Sequence, residues 1–163
     1  MNTKDALKSA MDMSLMVLNT YISDLSDADL LLRPGPGCNH LAWQLGHLIS
    51  SEVNLLNGIC PGQGAALPAG FVEAHAKENI ACNDASKFLS KQAYSDLFQK
   101  VRSATVAALD AMPDAELDAP SPEWLRAYFP QVGQVFTLIG THPMMHAGQF
   151  VVVRRQLGKP VLM

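Results

Sequence analysis

Four stretches of the chain place apolar residues at every third or fourth position, the spacing that lines one face of an α-helix. The first runs from about Thr3 to Leu25 through Leu7, Met11, Leu15, Leu18, Ile22 and Leu25. The second opens at Asn39, a good N-cap, and continues to about Asn57 with Leu41, Leu45, Leu48 and Leu55 on its apolar face. Ser90 caps the third, which carries Tyr94, Leu97, Phe98, Val101, Ala108 and Met112 up to Pro113. The fourth spans about Val132 to Leu157, where Arg154 and Arg155 suit the negative end of the helix dipole and Gly158 and Pro160 stop it.

Breakers separate these stretches. Arg33-Pro34-Gly35-Pro36-Gly37 cannot hold a regular helix and predicts a turn. The connection from Gly58 to about Leu89 is long and contains a short predicted helix at Phe71 to Ile80; a second long connection covers Asp114 to about Gln131. No alternating strand pattern of useful length, internal repeat or low-complexity tract competes. The expectation is an all-α four-helix bundle forming a single domain over residues 1–163.

Composition narrows the function classes. An apolar fraction of 48% over 163 residues is that of a globular chain. A net charge of −3, without any block of Lys and Arg, provides no electrostatic footprint for nucleic acid or an anionic membrane, so the expected partners are small molecules or copies of itself. Met1 to Asp5 carries an acid and no apolar h-region, and no apolar run reaches bilayer length; the expected location is the cytoplasm. Cys38, Cys60 and Cys82 are odd in number and far apart, which predicts reduced thiols rather than a disulfide framework or zinc ribbon.

The candidate chemistry lies in the fourth helix, at Thr141-His142-Pro143-Met144-Met145-His146. Histidines four residues apart stack on one helical face with about 5–6 Å between Cβ atoms, so both imidazoles can meet one metal ion. Met144 and Met145 stand where H-E-x-x-H has its acid, which disfavours a zincin-type peptidase. Pro143 costs a backbone bond and can kink the helix beside His142. A third ligand is available in His47, near the middle of the second helix, because helix midpoints share one level of a bundle in either direction. His47 could equally be a buried histidine bonded to a carbonyl. His40 lies about 10.5 Å from His47 along the helix axis, too far to share its ion, and is expected in the first turn near the bundle end, with His75 in a loop. Trp43 could wall the site or simply pack in the core. Glu52, five residues past His47, is expected to be solvated or at an interface, and Gln149 could orient a ligand or substrate.

Asn39-His40-Leu41-Ala42-Trp43-Gln44-Leu45-Gly46-His47, together with Thr141-His142 through His146-Ala147-Gly148-Gln149 and Arg154-Arg155-Gln156-Leu157-Gly158, resembles the DinB/YfiT-like family of four-helix-bundle metalloproteins. The resemblance covers essentially the whole chain, the third helix weakly. It implies an up-down-down-up bundle, which suits the long connection between the second and third helices. It implies that His47, His142 and His146 bind one divalent metal ion, and that the protein is a homodimer, joined here through helix faces away from the site. Characterised members resemble metal-dependent transferases or isomerases that use low-molecular-weight thiols.

Two classes of function follow. Three protein ligands leave a coordination position for water or substrate on zinc or nickel, as in catalytic sites. The first class is a metal-dependent enzyme, transferring a low-molecular-weight thiol co-substrate to an electrophile or hydrolysing a small-molecule substrate. The alternative is a non-catalytic metal-binding or stress-response dimer, favoured by the lack of an evident general base.

Overall fold

The computed structural model describes residues 1–162. Four long helices, α1 (Thr3–Ile22), α2 (Leu41–Ile59), α4 (Lys91–Ala111) and α6 (Val132–Gln156), are joined by connections that carry two one-turn helices, α3 (Phe71–Ala74) and α5 (Glu123–Arg126), and short 3₁₀ turns. Among the described residues there is no strand, only an isolated bridge between Pro120 and Gln131, and no helix is long and apolar enough to cross a membrane.

The helix ends follow local chemistry. Asn2 caps α1 by accepting the Asp5 N–H (2.8 Å), and the Asp5 carboxylate accepts the Asn2 N–H in return. The first helix stops at Ile22 rather than Leu25: the Ser23 hydroxyl bonds back to the Thr20 carbonyl (2.8 Å), and Asp24 turns toward Arg154 and Lys159. Leu25 nevertheless stays in the core. Helix α2 is capped by His40 rather than Asn39; the His40 Nδ1 accepts the Trp43 N–H (3.0 Å), while the Asn39 carbonyl is taken by the Gln44 amide. It ends two residues past Asn57, whose Oδ1 accepts the Gly64 N–H (2.8 Å) and folds the next segment back.

Cross-helix contacts set the directions. Gly140 lies against Ala10 and Met11, and Arg154 donates to the Tyr21 carbonyl (2.8 Å), so α1 and α6 run parallel. Gln44 reaches His146 while Leu55 meets Ile139, so α2 opposes α6. Arg102 donates to the Met11 carbonyl (2.6 Å) and Lys8 pairs with Asp110, so α4 opposes α1. The result is up-down-down-up. Parallel α2 and α4 require a connection that returns along the length of the bundle, and residues 60–90 supply it.

This crossover departs from the single helix expected at Phe71 to Ile80. The helix breaks after Ala74 because His75 turns its ring inward onto Gly46 of α2. There its Nδ1–H donates to the Phe71 carbonyl and its Nε2 accepts the Tyr94 hydroxyl, both at 2.7 Å. His75 thus lies in the connecting segment, as expected, and is a buried anchor there. A Cβ on Gly46 would sit 2.0–2.3 Å from three ring atoms of His75. Gly46→Ala is therefore expected to cost about 1–3 kcal/mol through overpacking, read as a lower urea midpoint. Gly148→Ala, where a Cβ meets nothing within 4 Å, is the control and is expected to be neutral or stabilising.

The apolar core falls into two clusters along the bundle axis. One contains Leu15, Leu18, Leu45, Tyr94, Phe98 and Phe150; the other contains Met11, Leu56, Leu109, Val135, Phe136 and Ile139. Between them each helix contributes polar residues: Ser14 from α1, Glu52 from α2, Arg102 and Thr105 from α4, and the turn of α6 that carries His142 and His146. The polar layer places the candidate site at mid-depth.

Candidate metal centre

His47 faces the α6 histidine pair across the α2–α6 contact. Ring centroids lie 5.3 Å apart for His47–His142, 5.5 Å for His47–His146 and 5.0 Å for His142–His146. One nitrogen from each ring lies within 4.8 Å of the others, and no other His, Cys, Asp or Glu among the described residues joins the group. Zinc–nitrogen bonds of about 2.0–2.1 Å in tetrahedral geometry set donors roughly 3.4 Å apart, so small rotations of half-buried rings close the cluster. The donor set fits a divalent ion.

The rings are also in the right protonation state. Burial, reinforced by the neighbouring imidazoles, holds His142 and His146 at about 4, and burial with the Lys77 charge lowers His47. Neutral imidazoles offer lone pairs at ordinary pH.

Gln44 orients one of them. Its amide nitrogen donates to the Asn39 carbonyl (2.8 Å), which leaves its carbonyl oxygen facing His146 Nδ1 at 2.7 Å. A carbonyl only accepts, so the His146 proton sits on Nδ1 and Nε2 is the free donor atom. Trp43 stacks on His47 with centroids 5.1 Å apart and planes within 6°, and its indole N–H donates to the Ala76 carbonyl (3.2 Å). Trp43 is buried and walls the site at once.

His40 and His75 lie outside the cluster with both nitrogens engaged. His40 accepts from Trp43 N–H on Nδ1 and donates from Nε2 to the Cys82 carbonyl (3.0 Å). Pro143 continues α6 without ending it and lines, with Glu52, Leu48 and His142, a crevice that has no room for water.

Two residues differ from the sequence reading. Glu52 is buried, not solvated: Arg102 grips both carboxylate oxygens at 2.9 Å and the Thr105 hydroxyl adds a bond at 2.8 Å. Burial pushes its carboxyl up, and Arg102 and Thr105 pull it back. With both oxygens engaged it does not serve as a free base. Gln149 is exposed, and Gln44 takes the orienting part foreseen for it. The available signals were an amide on the apolar face of α2 and opposite charges, Glu52 and Arg102, inside the stripes of two helices.

The histidines make stability pH-dependent. His40, like His142 and His146, is held at about 4 by burial, against an ordinary value near 6.5. Between these values the unfolded chain binds more protons than the folded one, so stability of the metal-free protein is full above about pH 6.5 and is lost as pH falls toward 4. Urea titrations at pH 7 and pH 5 are expected to show the lower midpoint at pH 5; equal midpoints would contradict this origin.

A family model of the DinB superfamily matches residues 10–150. The chain belongs to that superfamily. No curated protein matches it. Among solved structures, a conserved protein from Enterococcus faecalis superposes with a TM-score of 0.71 at 17% identity, covering 98% of this chain and 99% of that one. YfiT from Bacillus subtilis, described as a probable metal-dependent hydrolase with an unusual four-helix bundle topology, superposes with a TM-score of 0.66 at 15% identity, covering 96% and 89%. At these identities the likeness is one of fold.

Proposed function

We propose that His47, His142 and His146 hold one divalent ion, zinc or nickel, and that the protein is a metal-dependent enzyme acting on a small molecule. The observation that carries this is the convergence of three neutral imidazoles with no fourth protein donor among the described residues, the arrangement of an open rather than a closed structural site. Imidazole donors suit zinc and nickel alike. An ion bound there supplies Lewis acidity that lowers the pKa of a thiol or water.

The reaction proposed first is transfer of a low-molecular-weight thiol to an electrophile: the sulfur loses its proton to solvent, bonds to an electrophilic carbon, and a leaving group departs with its electron pair. The chain's part is to orient and shelter. Gln44 keeps the His146 donor atom turned inward, and Trp43 screens one side of His47. The description of YfiT favours a second reading, hydrolysis with water in place of the thiol.

Elemental analysis of protein purified without an affinity tag is expected to find about one equivalent of zinc or nickel per chain; a metal-free protein that fails to take up either ion overturns the proposal. Incubation with thiols and electrophiles, metal-loaded against metal-free, separates catalysis from passive binding. The proposal includes a homodimer. It is supported by a groove of about 500 Å³ between α1 and α6, lined by Met13, Met16, Val17, Met144 and Val151, and a monomer mass by light scattering would remove that part.

A further inference from the structure

The turn before α2 carries a cation that no carboxylate answers. Arg33 opens Arg33-Pro34-Gly35-Pro36-Gly37, whose prolines and glycines keep the chain out of a helix, and the turn closes where the Cys38 N–H donates to the Gly35 carbonyl (3.1 Å). The half-buried Arg33 guanidinium then reaches across it. Nη1 donates to the Cys38 carbonyl (2.7 Å), and Nη2 donates to the Ile80 carbonyl (2.9 Å) and to Asn83 Oδ1 (2.8 Å), with the Cys82 carbonyl farther off at 3.4 Å. All of these acceptors are neutral. They orient the guanidinium without cancelling its charge, and no carboxylate among the described residues pairs with it, whereas the buried Arg102 and Arg154 each have one.

The same residues line a cavity. It has a volume of about 320 Å³, lies between the turn and the returning crossover, and is lined by Arg33, Cys38, Asn39, Ile80 and Asn83. Its two walls are held together by the chain itself: Arg33 ties the turn to residues 80–83, and His40, the cap of α2, donates from Nε2 to the Cys82 carbonyl (3.0 Å). Donors remain after these bonds. A guanidinium has five N–H groups, and the Arg33 bonds are all made from Nη1 and Nη2, which leaves Nε–H without a protein acceptor. Because a guanidinium only donates, Asn83 turns its oxygen toward Arg33, and its amide N–H groups have no protein acceptor. The Asn39 side chain makes no hydrogen bond within the described residues either. Asn39 also directly precedes the cap of α2, so the positive end of that helix dipole adds to the same sign.

We propose that this pocket binds the oxyanion of a small molecule, a phosphate or a carboxylate, with Arg33 supplying the charge and Asn39 and Asn83 the amide donors. Guanidinium matches both anions in charge and in hydrogen-bonding geometry. The site is separate from the three imidazoles: Asn39 stands eight residues before His47, about 12 Å along the helix axis.

The test titrates the metal-free full chain with inorganic phosphate and with acetate at constant ionic strength, while NMR follows the Arg33 Nε–H and the side-chain amides of Asn39 and Asn83. Saturable shifts concentrated at these groups are expected. Tighter binding of one anion than the other identifies which oxyanion the site prefers, and either order supports the proposal. Asn83→Asp is the decisive variant. It keeps the Oδ1 that accepts from Arg33, so the exposed loop retains its fold, but it places a counter-ion on the guanidinium. Affinity for the anion is expected to fall about tenfold, the size of one partly screened charge interaction. Asn54→Asp adds the same charge at an exposed position of α2, about 22 Å along the axis from Asn39, and is expected to bind as wild type does. No saturable shift with either anion, no loss in Asn83→Asp, or an equal loss in both variants would overturn the site. Because the titration needs no zinc, failure of the metal centre leaves this result untouched.

Discussion

Replacing His47, His142 or His146 with alanine is expected to remove nearly all metal affinity, by more than the roughly 10- to 100-fold lost when a residue that merely orients a ligand is changed. The reason is geometric. Each helix contributes to one cluster whose donor atoms lie within 4.8 Å of one another, and no spare donor stands by. His40 cannot substitute, since it caps α2 and bonds to Cys82, and His75 is locked between Phe71 and Tyr94. Gln44→Ala is expected to fall in the 10- to 100-fold range, because His146 keeps its position but loses the partner that fixes its tautomer. His40→Ala is expected to retain full metal occupancy while costing about 1 kcal/mol through the lost cap. Competition with a chromophoric chelator ranks all five variants. Full occupancy in His47→Ala would show that α2 contributes no ligand and that the three-histidine assignment is wrong.

The parts of this structure legible in the sequence are those governed by local periodicity. Leu7, Met11, Leu15 and Leu18 recur at helical spacing and are buried together, and Ser90 caps α4 as its hydroxyl predicts. The i, i+4 pair in α6 needs nothing beyond its own helix to share a face. Whether His47 meets that pair depends on the relative direction and rotation of α2 and α6, which periodicity leaves open and which the family motif helped to fix. Three features depended on contacts distant in sequence. The break after Ala74 comes from a slot at Gly46, 29 positions before the His75 ring that fills it. His40 and Asn39 both had the chemistry of a cap, and the choice was made by Gln44, which needed the Asn39 carbonyl to hold its amide toward His146. Glu52 looked solvated because a lone acid on a helix usually is; its partner lies 50 residues away.

That partner gives the largest expected effect on stability. Arg102 is buried, donates twice to Glu52 and once to the Met11 carbonyl, and so ties α1, α2 and α4 at the polar layer that divides the core. Arg102→Met keeps much of the apolar stem but leaves Glu52 in the interior with only the Thr105 hydroxyl. Removing one member of a buried pair costs about 3–5 kcal/mol, because the remaining charge has lost its compensation. Burial already pushes the Glu52 carboxyl up, and without Arg102 nothing cationic opposes the push. The variant's folded state therefore binds a proton that its unfolded state releases above about pH 4.3. The deficit relative to wild type is expected to grow as pH rises from 5 to 8. The double variant Glu52→Leu with Arg102→Met removes both charges and is expected to recover much of the loss, since an apolar pair of similar volume can replace a buried ion pair. Urea unfolding of the two variants at pH 5 and pH 8 reads both effects. A single variant as stable as wild type at pH 8 would show that the pair contributes no more than its desolvation takes away.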